Sequence, residues 1–266
     1  MGSRARLDTE LVRRGLARSR EQAAGLIADG RVLVAGQTAA KPATQVGRDA
    51  AIAVRDPAGE PDYASRGGRK LAGALAAFGG LKVAGRRCLD AGASTGGFTD
   101  VLLRAGAAHV VAVDVGYGQL AWPLRTDPRV TVLDRVNVRE LTPEQVAPAP
   151  ELVTADLSFI SLTLVLPALV ACAAPGADFV LLVKPQFEAG KGNVGAGGVV
   201  RDPAQRAAAV RSVAGAAAGA GLGAAGVTAS LLPGPAGNVE YFLWLRAGAP
   251  PLDDEDLGRA IEDGPQ

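Results

Sequence analysis

One histidine and two cysteines stand among 266 residues. They are too few and too scattered for a metal centre or a disulfide framework. Cys88 and Cys172 lie in apolar surroundings and read as small buried hydrophobes. His109, just ahead of an apolar run, has no ligand partners nearby and reads as structural. A charge excess is also missing: 28 Lys and Arg stand against 27 Asp and Glu, a net of +1. No whole-chain field therefore selects an acidic or basic partner, and any electrostatic preference is local. The longest apolar run, Ile160 to Ala174, is too short to span a bilayer and is broken by Pro167. Residues 1–6 lack the apolar core of a signal peptide, and there is no internal repeat. The expectation is a soluble, cytoplasmic, monomeric protein without a metal, with 48% hydrophobic residues to build a core.

The length allows one large domain or two smaller ones. In residues 1–60, Leu7, Leu11, Val12 and Leu16 fall at helical spacing. Ser19 before Arg20-Glu21-Gln22 is an N-cap with an acid in the first turn, and that second helix stops at Asp29-Gly30. Residues 31–34 read as a strand, 35–37 as a turn and 45–54 as extended pieces. This segment holds ten Arg and Lys against seven acids, a balance of +3. Arg13, Arg14, Arg18 and Arg20 bracket the helix junction, either as a solvated charged face or as a phosphate-contacting patch.

Residues 61–64 fall in a Pro- and Gly-rich linker. A helix then runs from about Ser65 to Phe78. Residues 87–92, 110–116, 130–136, 152–159 and 179–184 read as strands, and the runs 110–113 and 179–183 are near-continuous, as in strands covered on both faces. Residues 227–231 and 240–246 would form a closing antiparallel pair, with a helix over 204–219. Gly190 to Gly198, with Lys191 and Asn193, reads as a loop over a site. Residues 248–266, acidic and polar, read as a fraying tail.

The stretch Asp90-Ala91-Gly92-Ala93-Ser94-Thr95-Gly96-Gly97-Phe98 is a strand end, a glycine turn and a helix start. Glycine lets a ligand approach the backbone, and the helix N-terminus offers unpaired N–H groups. The spacing is not the G-x-G-x-x-G of dinucleotide sites, which disfavours a nicotinamide dehydrogenase, and no lysine follows as in a P-loop. S-adenosylmethionine, whose carboxylate and amino group need backbone partners, fits better. Asp114, about twenty residues on at a strand end, would hold its ribose, unless it caps a helix. Asn137 would meet the adenine edge, unless it is a turn residue. Lys70, Asp156, Lys184 and Glu240 form a second constellation near element boundaries. Singly each reads as a surface ion pair; together at the carboxyl edge of an open sheet they read as a site.

Residues from Leu16-Ala17-Arg18-Ser19-Arg20 through Gly30-Arg31-Val32-Leu33-Val34-Ala35-Gly36 to Lys41-Pro42 resemble the S4 RNA-binding domain. Ser65-Arg66-Gly67-Gly68-Arg69-Lys70-Leu71, the glycine turn, Thr154-Ala155-Asp156-Leu157-Ser158-Phe159-Ile160, Leu182-Val183-Lys184-Pro185-Gln186-Phe187-Glu188 and Asn238-Val239-Glu240 resemble the FtsJ-type ribose methyltransferases. The combination resembles the TlyA family nearly end to end. The resemblance implies an α/β, Rossmann-like class I methyltransferase domain over 65–247. Its sheet would be seven-stranded and mostly parallel, and a small α+β S4-like domain would precede it. It implies S-adenosylmethionine-dependent 2′-O-methylation of cytidine in ribosomal RNA within ribosomal subunits. The family's K-D-K-E tetrad falls on Lys70, Asp156, Lys184 and Glu240. Lys184 would meet the hydroxyl, with Asp156 and Glu240 setting its charge and Lys70 helping to hold substrate. Cofactor contacts would come from Asp90, Gly92, Ala93, Ser94, Thr95, Gly96, Gly97, Phe98, Asp114 and Asn137. RNA contacts would come from Arg4, Arg6, Arg14, Arg18, Arg20, Arg66 and Arg69. A catalytically silent S4-type assembly factor and a haemolysin are the alternatives; the intact tetrad opposes the first, and no membrane span supports the second.

Overall fold

A computed structural model describes residues 4–17, 19–28, 30–54, 63–189, 195–234 and 236–265. The chain forms two compact units, Met1–Asp62 and Tyr63–Gln266.

In the first unit, β1 (Arg4–Arg6) runs into α1 (Leu7–Arg13), followed by α2 (Arg20–Ala28), β2 (Val32–Val34), β3 (Gln37–Thr38), β4 (Gln45–Gly47) and β5 (Ile52–Val54). Strand β1 pairs antiparallel with β4, and β2 lies between β3 and β5. Leu7, Leu11, Ala23, Ile27, Val32 and Val46 close a small core. Ser19 caps α2 as its spacing predicts, accepting from Gln22 N at 3.1 Å. Helix α1 does not reach Leu16: a hydrogen bond from Leu16 N to Leu11 O wraps its end, and Leu16 is left exposed.

The second unit opens on α3 (Arg66–Ala77), then β6 (Arg87–Ala91), α4 (Gly97–Arg104), β7 (His109–Asp114), α5 (Trp122–Arg125), β8 (Val130–Asp134), α6 (Pro143–Val146), β9 (Leu152–Ala155), α7 (Leu162–Cys172), β10 (Asp178–Val183) and α8 (Pro185–Glu188). It closes with α9 (Pro203–Gly219), β11 (Leu222–Ala229), β12 (Tyr241–Ala247) and α10 (Asp254–Glu262). One sheet runs β11-β12-β10-β9-β6-β7-β8. Strands β10, β9, β6, β7 and β8 are parallel, and β12 is antiparallel to both neighbours. Strands β7, β9 and β10 are buried on both faces, as the near-continuous apolar runs of β7 and β10 predict, while β8 at the sheet edge is only half-buried. Leu71, Phe98 and Leu124 cover one face from α3, α4 and α5. Val146, Leu166, Val213 and Leu257 cover the other from α6, α7, α9 and α10. No helix among the described residues is long and apolar enough to cross a membrane. Both cysteines are buried and unpaired, and burial pushes the Cys88 thiol up to about 12.

Two boundaries read from composition are corrected. Tyr63 and Ala64 are part of the second unit, not linker: Ala64 N donates to Asp100 Oδ2 at 2.9 Å and Arg104 stacks over the Tyr63 ring. Residues 254–262 are helix, not fraying tail. Asp253 caps α10 through Glu255 N and Asp256 N, and three acids in the first turn offset the macrodipole. Leu257, Ala260 and Ile261, at helical spacing, are buried in the core; composition concealed that period.

Leu257→Ala should therefore destabilise the second unit by about 2–4 kcal/mol, read from urea unfolding. Asp254→Ala, which loses an exposed pair with Arg211 and one of three first-turn acids, should change stability by less than about 1 kcal/mol. Equal, small effects would mean that α10 does not dock.

Candidate active site

The carboxyl ends of β6, β7, β9 and β10 share one edge of the sheet. The β10–β12 register sets Val183 opposite Tyr241, so Lys184 and Glu240 emerge at that edge from antiparallel strands. Asp156 follows β9 directly, and α3 brings Lys70. The four residues form two dyads. Lys184 Nζ lies 2.6 Å from Asp156 Oδ1 and donates to Ser158 Oγ at 3.0 Å. Lys70 Nζ lies 2.5 Å from Glu240 Oε2. Glu240 therefore partners Lys70, not Lys184 as its assigned role required. The dyads differ in access: the side chains of Lys184 and Asp156 are 10% and 23% exposed, those of Lys70 and Glu240 5% and 1%. The first pair can meet a substrate; the second is sealed, with Glu240 Oε1 buried and unpartnered.

The glycine turn lies beside the Asp156 pair. Gly92 has φ +87°, and a Cβ there would fall 2.5 Å from the Asp156 carbonyl oxygen, so only glycine lets the turn pass so close. A Cβ at Gly97 would fall 2.7 Å from Gly68 N. Bare backbone at Gly97 thus lets the start of α4 touch the start of α3, one turn from Lys70. Asp114 does not cap a helix. Its two carboxylate oxygens accept from Ser94 N at 2.8 Å and Gly116 N at 2.7 Å, tying the turn to the end of β7. Asn137 acts as the turn residue, its Oδ1 accepting from Arg139 N at 3.1 Å. The Phe98 ring is in the core, 6.0 Å from Phe242, so only its backbone borders the turn. Ala93 is buried as well.

Asp90 sits beneath the turn, 0% exposed. Thr99 Oγ1 donates to its Oδ2 at 2.6 Å, and Oδ1 is buried without a partner. Burial raises its carboxyl to about 7; the Thr99 hydrogen bond opposes the rise and the Asp156 charge adds to it. An orphaned acid oxygen below a glycine cradle fits a ligand that carries positive charge, as S-adenosylmethionine does.

Backbone strain collects at this edge. Among the described residues of this unit, the non-glycine residues with positive φ are Ser94 (47°), Arg135 (60°) and Phe159 (64°), which follow β6, β8 and β9. Phe159 is 91% exposed, its ring 5.2 Å from that of Phe187. An aromatic held in strain, in water and beside a lysine–aspartate pair has a use outside the core. Ser158, Phe159 and Asn238 also border this edge; all three lie within the stretches that resemble the ribose methyltransferases, but their residue types alone did not single them out. Asn238 grips the segment before Arg201, accepting from Val200 N and donating to Gly198 O. His109 bonds Thr131 across β7 and β8 at 2.8 Å, a structural role. Lys191 and Asn193 lie outside the described residues.

The FtsJ-like methyltransferase family matches residues 63–247, and the S4 domain matches residues 5–52. The Mycobacterium tuberculosis protein named 16S/23S rRNA (cytidine-2'-O)-methyltransferase TlyA is 61% identical over 271 residues, covering 100% of each chain. The chain belongs to the TlyA family of FtsJ-like methyltransferases. Another relative, Hemolysin A of Brachyspira hyodysenteriae, is 36% identical over 89% of this chain and 98% of that one. A solved Streptococcus thermophilus structure with a provisional hemolysin name is 37% identical, with a TM-score of 0.76 over 99% of this chain and 98% of that one.

The arginines expected to contact RNA fall into unlike settings. In the S4 domain, Arg4 and Arg6 are exposed on β1. Arg6 and Arg20 share the buried Asp8 at 2.9 and 3.0 Å, and they hold its carboxyl well below the usual range, with Arg6 foremost. Arg14 is committed to structure: it bonds Glu10 at 2.8 Å and the carbonyls of Ala50 and Arg48 at 2.7 and 2.8 Å. Arg18 lies outside the described residues. In the second unit, Arg66 donates to the Pro233 carbonyl at 2.6 Å, and Arg69 lies one residue before Lys70 on α3.

Asp90 gives this site a pH signature. Its folded carboxyl titrates near 7 instead of the ordinary 3.8. Between those values the folded chain holds a proton that the unfolded chain has released, so stability falls as pH rises. Asp90→Asn should therefore gain on the parent by about 2 kcal/mol on going from pH 5 to pH 8, read from urea unfolding at both pH values. A pH-independent difference would refute the buried, unpaired carboxylate.

Proposed function

We propose that the chain transfers a methyl group from S-adenosylmethionine to the 2′-hydroxyl of cytidine in ribosomal RNA, with 16S and 23S RNA both candidate substrates. The observation that carries this reading is the partly exposed Lys184–Asp156 pair at the same sheet edge as the glycine turn. The names of the relatives and the S4 match support an RNA substrate. A dinucleotide fingerprint is absent from the turn, and the orphaned Asp90 oxygen and Gly92 cradle suit a cationic nucleoside.

A ribose hydroxyl is a weak nucleophile at neutral pH. Lys184 has three N–H donors; Asp156 and Ser158 take two, and the third can meet the acceptor oxygen. There the ammonium stabilises the charge developing on oxygen, the hydroxyl proton leaves to the Asp156 carboxylate, which water reaches, and the same carboxylate keeps the lysine aimed. The sealed Lys70–Glu240 pair supports α3 against the edge. When bound, S-adenosylmethionine supplies a methyl already activated by its sulfonium. The remaining task of the protein is alignment of oxygen and methyl. Phe159 offers a stacking face for the base whose ribose reacts, and the S4 arginines supply phosphate contacts. Arg66 and Arg69, on α3, would supply phosphate contacts of their own in the second unit.

The choice of test residue follows from burial. Lys70→Ala would strand the buried Glu240 at a cost of about 3–5 kcal/mol and confound folding with chemistry. Lys184→Ala leaves Asp156 with access to water. It should lower kcat by about a hundredfold or more with S-adenosylmethionine affinity within about threefold. Mapping 2′-O-methyls on ribosomal subunits treated with parent or variant decides the matter. Equal transfer by both, or no new cytidine methyl with the parent, would sink the proposal. In the same assay Phe159→Ala should raise the KM for RNA about tenfold without weakening cofactor binding.

A further inference from the structure

We infer that Glu188 is a positioning residue for methyl transfer, acting on Lys184 through the turn between β9 and α7. The inference rests on the function proposed above. That turn, residues 156–161, carries Asp156, Ser158 and the strained Phe159. Its partner is the α8 segment, which carries Lys184 at its N-cap, Phe187 and, at its end, Glu188. The two segments meet at three rungs. At one end Lys184 binds Asp156 and Ser158. In the middle the Phe159 and Phe187 rings lie 5.2 Å apart. At the far end Glu188 Oε2 accepts from Ser161 Oγ at 2.5 Å and Oε1 accepts from Leu162 N at 2.8 Å.

The third rung has a physical reason. Ser161 is the N-cap of α7, its Oγ accepting from Thr163 N, and Leu162 N is one of the helix's unpaired first-turn donors. A carboxylate at that end satisfies the donor and meets the positive pole of the macrodipole. Burial raises the Glu188 carboxyl, and its bonds to Ser161 and Leu162 oppose the rise. Without this rung the turn is held to α8 only by the Lys184 contacts and the ring pair. Phe159, at φ +64°, would then relax toward an ordinary conformation and carry Ser158 off Lys184. Glu188 touches neither the reacting hydroxyl nor the methyl; its effect is to keep the lysine's third N–H aimed.

The test compares Glu188→Ala, Glu188→Gln and Ser161→Ala with the parent and with Lys184→Ala, in methyl transfer to ribosomal subunits. Cofactor affinity is measured by calorimetry and amide hydrogen exchange over 156–162. Glu188→Ala should lower kcat between about tenfold and a hundredfold, leave cofactor affinity within about twofold and speed exchange in the turn. Glu188→Gln can accept from Leu162 N and donate to Ser161 Oγ, so it should return kcat to within about threefold of the parent. Ser161→Ala, which loses one of the two Glu188 bonds together with the cap on Thr163 N, should fall between and serves if Glu188→Ala does not fold. Parent-like kcat in Glu188→Ala and Ser161→Ala, or failure of glutamine to rescue, would overturn the inference alone. Absence of transfer by the parent would overturn the function and the inference together.

Discussion

The second unit depends on how two lysines with little access to water are each set against a carboxylate at the edge of an apolar sheet. An ammonium with little access to water is costly unless a carboxylate sits against it. Lys184 follows β10, whose residues are all buried, and Asp156 stands at the end of the next strand. Lys70 comes from a different layer, on α3, and finds Glu240 at the start of β12. Each pair ties elements distant in sequence to one edge, so the charge requirement also fixes the architecture of the site.

The cradle beside those pairs is held by close backbone approaches. Gly92 passes the Asp156 carbonyl, and Gly97 passes Gly68. Any side chain at either position would move the turn away from the dyads or α3 away from the turn. Strain at Ser94, Arg135 and Phe159 shows the same edge overdetermined by its surroundings. The rest of the unit, with Leu89, Val111 and Leu181 at its centre, supplies the rigidity that can hold such conformations.

Much of this was legible in the residues. Unbroken apolar runs mark strands covered on both faces, and Asp90 to Phe98 reads as strand, turn and helix without further help. The failures have causes of their own. Leu16 keeps helical spacing, yet the backbone closes α1 before it. Residues 254–262 look polar because six of nine positions face water or cap, while Leu257, Ala260 and Ile261 carry the packing. Arg14 looks like a phosphate ligand until the carbonyls of Ala50 and Arg48 are brought to it. Asn137 commits its Oδ1 to its own turn, a contact its residue type alone could not reveal.

By itself the sequence determined the strands of the large sheet and the types of residue available for chemistry, because periodicity, turn residues and charge are local properties. It could not assign partners. That Glu240 meets Lys70, that Lys184 takes Asp156 and Ser158, and that Glu188 reaches the start of α7 were decided by strand order and register, which set residues 26 to 170 positions apart within hydrogen-bond distance. Side-chain pairing is a tertiary property: a buried charge selects among all the groups the fold brings near, and only the folded chain defines that set.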